Sequence, residues 1–161
     1  MPADNFQCLI KIMKRLRSTE GCPWDREQTI QTLRRYLLEE TYEVLDAMER
    51  EDWSHLVEEL GDLQLQIVFQ AQIASEDGNF DIEDVLRAIS EKLVRRHPHV
   101  FSDESATSSE DVLRLWEQIK VKEAEAKRKT AEAIGGDVSV ELLDGIQKGQ
   151  PALLEAFQIG K

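Results

Sequence analysis

The sequence predicts an all-α fold, an antiparallel bundle of four to five helices joined by short connections. Five segments carry apolar residues at the three- and four-residue spacing that places them on one face of a helix. No segment shows the alternation and turn residues of a strand hairpin, and the 161 residues include only 8 Gly and 4 Pro. A chain of this length fits one domain and can bury a core.

The first two predicted helices are separated by a turn-rich stretch. Segment one runs from about Asn5 to Arg17 and ends in STEGCPWD, where Gly21 and Pro23 favour a turn. Segment two runs from about Gln28 to Arg50. Its predicted buried stripe consists of Ile30, Leu33, Leu37, Val44 and Met48.

Segment three follows the break EDWSHL and reaches about Glu76, with Ser54 as the expected N-cap. Its apolar stripe consists of Leu56, Leu60, Leu63, Ile67 and Ala71. The string EDGNFD then predicts a stop and a restart, with Gly78 as the C-cap and Asp81 as the next N-cap.

Segment four runs from Ile82 to about Arg96, and Pro98 ends it. Segment five, roughly Glu110 to Lys129, is expected to be capped by the last serines of SDESATSSED. Residues 1–130 therefore form the predicted helical domain. Residues 131–161 are interpreted as a link followed by a short amphipathic helix after Pro151.

The net charge of −12 argues against a nucleic-acid partner, because nonspecific binding depends on neutralising phosphates with Lys and Arg. No apolar run approaches the ~20 residues of a membrane span, and no signal peptide opens the chain, so we expect a cytoplasmic protein without a membrane partner. Cys8 and Cys22 alone make neither a disulfide framework nor a zinc site, and they are expected to be reduced thiols.

Carboxylates recur beside the apolar residues of segments two and three. Glu40 and Glu43 lie about 60° and 120° from the segment-two stripe, on the same side of it. Glu59 and Asp62 share one side of segment three, about 100° and 160° from its stripe. If the two helices are antiparallel with these edges facing each other, four carboxylates meet.

Four like charges at close range repel one another unless a cation binds among them or some are protonated. Oxygen ligands without sulfur or histidine suit Mg²⁺, with Mn²⁺ as a substitute. A solvated helix face explains any single ExxE string equally well, but the doubled arrangement on consecutive helices is rarer and favours a metal site. A di-iron centre is disfavoured, because none of the three histidines follows a Glu by three residues.

Basic and aromatic residues in segments four and five suit phosphate and nucleobase recognition. Two pairs, Lys92 with Arg96 and Trp116 with Lys120, share a helix face at four-residue spacing, and a second aromatic residue, Trp24, lies in the CPWD loop. Salt bridges to nearby acids, and core packing of the segment-five tryptophan, are the alternative interpretations. The candidates are Trp24, Lys92, Arg95, Arg96, Trp116 and Lys120.

Several strings, taken together and in this order, resemble those of MazG-type nucleoside triphosphate pyrophosphohydrolases. They span about Leu9 to Lys120 and comprise GCPWDREQT, LLEETYEVLDA, EELGDLQLQIVFQA, EDGNFD, KLVRRHPHVF and WEQIK. The resemblance implies an all-α domain whose core is completed by homodimerisation. It also implies Mg²⁺-dependent hydrolysis of a nucleoside triphosphate between its α and β phosphates. Because stacking alone discriminates weakly between bases, we further expect broad base specificity and a role in cleansing the nucleotide pool.

The resemblance also assigns roles. Its E-x-x-E and E-x-x-D strings fall on Glu40, Glu43, Glu59 and Asp62 as metal ligands, and Glu39 becomes an additional ligand or a residue that orients water. K-x-x-x-R falls on Lys92 and Arg96, and W-x-x-x-K on Trp116 and Lys120, as substrate-binding residues.

Many MazG proteins carry two such domains, and this chain resembles the N-terminal copy, ending where a second copy would begin. The alternative function is therefore a weakly active or inactive oligomerisation or regulatory domain of a tandem enzyme.

Overall fold

The computed structural model describes residues 2–133, which form seven α-helices and no strand. The predicted all-α fold is confirmed. Most of residues 131–161, interpreted as a link and a short helix, lie outside the described residues. The helices are α1 Pro2–Leu16, α2 Pro23–Glu27, α3 Ile30–Glu49, α4 Trp53–Glu76, α5 Ile82–Arg96, α6 Pro98–Phe101 and α7 Ser109–Ala133. None of these helices is both long and apolar enough to cross a membrane.

The chain divides into two compact units, the first being Met1–Leu93. In this unit α4 is the central helix and packs against α3 and α1. Burial of apolar side chains from these three helices supplies the main favourable free energy of folding. The central core cluster consists of Met13, Leu33, Val68, Phe69 and Ile73.

A tight connection of three residues joins α3 to α4. The N–H groups of Glu51 and Asp52 donate to the carbonyls of Met48 and Ala47 at 3.2 and 3.1 Å, a Schellman pattern that places Glu51 in the left-handed region at φ 52°. Because this connection is short, α3 and α4 run antiparallel beside each other.

Asp52, and not the predicted Ser54, caps α4. The Asp52 carboxylate accepts a hydrogen bond from the His55 N–H at 3.2 Å, while the Ser54 hydroxyl donates to the same carboxylate oxygen at 3.0 Å. Both residue types cap well. The helix begins at Trp53, so Ser54 already lies in its first turn.

The stop-and-restart signal after α4 is confirmed, with one correction. Asp77 occupies the C-cap, and Gly78 follows it at φ 71°, where a left-handed backbone favours glycine. Asp81 caps α5 as predicted, since its carboxylate accepts from the Asp84 N–H at 3.1 Å and the Asp84 carboxylate accepts from the Asp81 N–H at 3.0 Å.

The buried face of α4 is rotated from the predicted stripe. Leu60 and Ile67 are 46% and 45% exposed, whereas the polar Glu59 and Gln66 are buried. In α3 the predicted core residue Met48 is 53% exposed. Since α4 is apolar around much of its circumference, helical spacing alone does not fix which side faces α3.

The second unit, Val94–Lys161, is described as far as residue 133 and contains α6 and α7. Pro98 ends α5 as predicted but also occupies the first turn of α6, which the sequence did not predict. Pro23 begins α2 in the same way, within the stretch predicted as a turn. Proline is favoured at a first helical position because it has no N–H to leave unpaired. Ser108 caps α7, accepting from the Asp111 N–H at 3.1 Å.

Candidate functional site

Three of the predicted metal ligands meet between α3 and α4. One carboxylate oxygen from each of Glu40, Glu43 and Glu59 lies within 4.8 Å of the others, and we call these residues the carboxylate cluster. Glu40 and Glu43 are one turn apart on α3, so their side chains share a face. Glu59 joins them because the tight connection brings the first half of α4 alongside α3.

Burial and mutual repulsion raise the proton affinity of two cluster members, Glu40 and Glu59. The pKa of Glu40 is raised from 4.5 to about 7, first by burial and then by the charges of Asp62 and Glu43, with a hydrogen bond to Glu43 adding to the effect. The pKa of Glu59 is also raised, first by burial and then by the charge of Glu43. A cluster of acids that retains protons in the absence of a cation has the donor set of a divalent metal site.

Glu39 and Asp62 lie next to the cluster without belonging to it. Asp62 is half-buried on α4, close enough for its charge to raise the pKa of Glu40. Glu39 is an exposed residue of α3 and does not share the close approach of the other three carboxylates.

The sequence prediction missed His55. Its Nε2 lies 2.8 Å from Oε1 of Glu59, and within the described residues its buried Nδ1 has no hydrogen-bond partner. The available signal was the four-residue spacing between His55 and Glu59, which places both on one helix face. The di-iron pattern, a Glu followed three residues later by His, has the opposite order and does not include this pair.

The basic candidates of the second unit are held at the junction of α5 and α7. Arg95 Nε donates to Glu123 Oε1, and Arg96 Nη2 donates to Glu123 Oε2, each at 2.7 Å. Glu123 was not among the predicted residues. On α7, Lys120 Nζ lies 2.7 Å from Glu117 Oε1.

Two aromatic candidates have different surroundings. Trp116 is half-buried, with its ring 5.1 Å from that of His97, and its buried indole nitrogen has no hydrogen-bond partner in the described part of the chain. Trp24, in the first unit, is 48% exposed and contacts the Tyr36 ring edge-on at 5.7 Å. Lys92 is an exposed residue of α5.

Comparison with protein families matches residues 28–101 to the MazG nucleotide pyrophosphohydrolase domain. A crystal structure of a mazG-related protein from Thermotoga maritima has a TM-score of 0.61 and 32% sequence identity, covering 71% of this chain and 97% of that one. The chain belongs to the MazG family. The resemblance of the sequence strings to this family is thereby confirmed.

Curated MazG relatives carry names of an enzymatic activity. The nucleoside triphosphate pyrophosphohydrolase of Escherichia coli K12 is 53% identical over 95% of this chain, which covers 55% of the relative. The nucleoside triphosphate pyrophosphohydrolase/pyrophosphatase MazG of Thermotoga maritima is 50% identical over 76% of this chain and 47% of the relative. This chain thus spans about half the length of these two relatives.

The MazG domain match includes the carboxylate cluster, Asp62 and the arginines at the end of α5. Trp24 precedes the matched range, and Trp116 and Lys120 follow it. Their placement in a substrate site is therefore a prediction from the wider resemblance and from their chemistry.

Proposed function

We propose that this chain hydrolyses nucleoside triphosphates to the monophosphate and pyrophosphate with the help of Mg²⁺. The observation that carries the proposal is the carboxylate cluster, formed by α3 and α4 in a chain of the MazG family. The names of its curated relatives support the same activity.

Glu40, Glu43, Glu59 and Asp62 would hold the metal through carboxylate oxygens, with Mn²⁺ as a possible substitute. When bound, a divalent cation neutralises phosphate oxygens and lowers the pKa of a coordinated water. The protein already brings these acids together on two packed helices, with Glu59 buried and Glu43 exposed, so little reorganisation is needed for binding. Glu39, exposed beside Glu40, would orient water.

The basic residues would bind the triphosphate. Guanidinium groups pair with phosphate oxygens through two parallel hydrogen bonds, and a lysine acts as a point charge. Arg95 and Arg96 would take the first role, and Lys92 and Lys120 the second. Trp24 or Trp116 would contact the base, and stacking discriminates weakly between bases, which supports broad specificity.

The test is pyrophosphate release from a panel of ordinary and modified nucleoside triphosphates, with Mg²⁺ and with chelator. We expect metal-dependent release that the double variant Glu40→Gln, Glu59→Gln lacks. Glu49→Gln with Glu58→Gln is the matched control, because it removes two charges from the same helices outside the carboxylate cluster. Absence of release from a folded wild-type protein would refute the proposal.

We also propose that the chain forms a homodimer, which would be its main role if it is an inactive copy of a tandem enzyme. An apolar stripe of α4 is exposed in the single chain, and α3 carries exposed apolar residues as well. Such a surface favours burial against a second copy. The exposed residues are Leu38, Tyr42, Leu45, Met48, Trp53, Val57, Leu60 and Ile67.

Sedimentation equilibrium tests this second proposal. We expect Val57→Asp to shift the protein from dimer to monomer, because a charge cannot be buried unpaired at an apolar interface. Ile12→Asp, at a half-exposed position on α1, is the control and should leave the dimer intact. A monomeric wild-type protein at high micromolar concentration would contradict the proposal.

A further inference from the structure

One carboxylate on α7 holds two consecutive arginines of α5. Glu123 Oε1 accepts from Arg95 Nε at 2.7 Å and from Arg96 Nε at 3.5 Å, while Glu123 Oε2 accepts from Arg96 Nη2 at 2.7 Å. Arg95 and Arg96 are 28 and 27 residues from Glu123 in the sequence, so these contacts are tertiary. Arg96 therefore presents two nitrogens to both oxygens of Glu123, the paired geometry that fixes a guanidinium in orientation.

Burial gives this ion pair a defined geometry. The side chains of Glu123 and Arg96 are 18% and 26% exposed, whereas Arg95 is 53% exposed. Hydrogen bonds from Arg96 and then Arg95 lower the pKa of Glu123 to about 2, so it stays ionised at neutral pH. Separating Glu123 from the two arginines would leave its mostly buried carboxylate without a cationic partner, which is strongly unfavourable.

Glu123 occupies only part of the donor capacity of the two arginines. A guanidinium has five N–H groups on three nitrogens. The contacts with Glu123 use Nε of Arg95, and Nε and Nη2 of Arg96. Both Nη groups of Arg95 and the Nη1 group of Arg96 take no part in these contacts with Glu123. Such N–H groups donate hydrogen bonds to phosphate oxygens.

Glu123 also lies on the face of α7 that carries the other substrate candidates. Trp116, Lys120 and Glu123 follow one another at four- and three-residue spacing, which places them on one side of the helix. The His97 ring, 5.1 Å from Trp116, adds a second contact between the segment that follows α5 and α7. The two arginines are thus fixed beside that face of α7.

We propose that Glu123 is a positioning residue that fixes the guanidinium groups of Arg95 and Arg96 for the triphosphate of the substrate. The inference rests on the proposed function, since it assigns those arginines to substrate phosphates. Glu123 itself repels phosphate and acts only through its partners. Prior fixation of the arginines reduces the conformational entropy lost when the nucleotide binds.

The first measurement compares Glu123→Gln with Glu125→Gln, an exposed glutamate two residues further along α7. Glutamine keeps the shape of the side chain but presents an NH₂ group to one arginine and loses the charge. We expect KM for a nucleoside triphosphate to rise about tenfold, with a smaller change in kcat, and Glu125→Gln to match wild type. Titration with an α,β-methylene triphosphate and Mg²⁺ should show the same loss in Kd.

A combined variant separates positioning from a merely structural role. If Glu123 acts through the two arginines, adding Glu123→Gln to the variant Arg95→Gln, Arg96→Gln should not weaken binding of the analogue further. A further loss on adding Glu123→Gln would overturn the inference. If Glu123→Gln does not fold, Glu123→Asp serves in its place, because it keeps the charge and shortens the reach by one methylene.

The outcomes distinguish this inference from the proposed function. One outcome is that the wild-type protein binds the analogue, that Glu123→Gln binds it more weakly, and that neither releases pyrophosphate. This outcome would support the inference and refute hydrolysis. Pyrophosphate release that is equal in Glu123→Gln and Glu125→Gln would refute the inference alone. Failure of the wild-type protein to bind the analogue would refute both.

Discussion

His55 Nε2 lies 2.8 Å from Oε1 of Glu59, one turn further along α4. Glu59 is 6% exposed, and its other close neighbours in the cluster are carboxylates. When protonated, the imidazole compensates the negative charge of this buried acid. Outer-shell partners of this kind orient a carboxylate for metal binding, and their loss typically weakens the metal site.

Replacing His55 with Ala should weaken metal binding without removing a ligand. Loss of this contact leaves Glu59 free to turn away from the other two acids, and we expect the Kd for Mn²⁺ or Mg²⁺ to rise about tenfold. Isothermal titration calorimetry measures this directly. Gln64→Ala, at an exposed position of α4, is the control, and equal affinities for both variants would contradict a role for His55.

Metal binding should release a proton from Glu40. Its pKa is raised from 4.5 to about 7, so in the metal-free protein the carboxyl is mostly protonated at pH 6 and mostly ionised at pH 8.5. We expect about one proton released per metal bound at pH 6 and almost none at pH 8.5. Calorimetry in two buffers of different ionisation enthalpy counts the protons, and Glu40→Gln should reduce the difference between the two pH values.

The Glu40 carboxyl also makes the metal-free protein less stable as pH rises. Its folded-state pKa lies above the unfolded value of 4.5, so its contribution to stability is fully present below pH 4.5. That contribution is lost as pH rises through about 7. Urea unfolding between pH 4.5 and 8 should show this loss in wild type and a smaller one in Glu40→Gln, where Glu59 retains a raised pKa. If Glu40→Gln loses as much stability as wild type, a group other than Glu40 causes the loss.

Arg17 should be among the most destabilising positions of the first unit. Its side chain is 8% exposed, donates to both carboxylate oxygens of Glu76 at 2.6 to 2.9 Å and lies over the Phe69 ring. We expect Arg17→Ala to lower the free energy of unfolding by about 3 kcal/mol. Arg15→Ala, at a side chain 67% exposed, should lower it by less than about 0.5 kcal/mol.

The Arg17–Glu76 pair also contributes to acid sensitivity. Hydrogen bonds from Arg17 lower the pKa of Glu76, so the stability they provide is present above pH 4.5 and is lost as pH falls through the lower folded-state value. Arg17→Ala should therefore reduce the loss of stability below pH 4.5. If urea unfolding shows the same loss of stability below pH 4.5 in Arg17→Ala as in wild type, other carboxylates dominate the acid sensitivity.

Glu51→Gly should stabilise the connection between α3 and α4. Glu51 adopts φ 52°, a left-handed conformation that costs a residue with a Cβ about 1–2 kcal/mol, partly offset by the greater chain entropy of glycine. We expect a gain of about 0.5–1 kcal/mol in urea unfolding. Glu49→Gly, in the last turn of α3, should instead destabilise by up to about 1 kcal/mol. A loss in both variants would contradict the argument.

The elements were largely predictable because capping and breaking signals act locally. Asp81 and Pro98 bound α5 as predicted, whereas α2 and α6 were missed since each is a single turn begun by proline. Ser54 was a plausible cap, but Asp52 competed for the same role two residues earlier. Such choices differ little in free energy, and packing of the whole helix decides between them.

The sequence by itself determined the all-α fold, the positions of α3, α4 and α5, and which carboxylates are candidates for a metal. Only the tertiary structure decided that Glu59 turns inward while Leu60 lies exposed, that His55 compensates Glu59, and that Glu123 binds the arginines of α5. The physical reason is that helical periodicity reports local spacing. The rotation of each helix about its axis, and pairing between residues far apart in the chain, follow from packing against other helices.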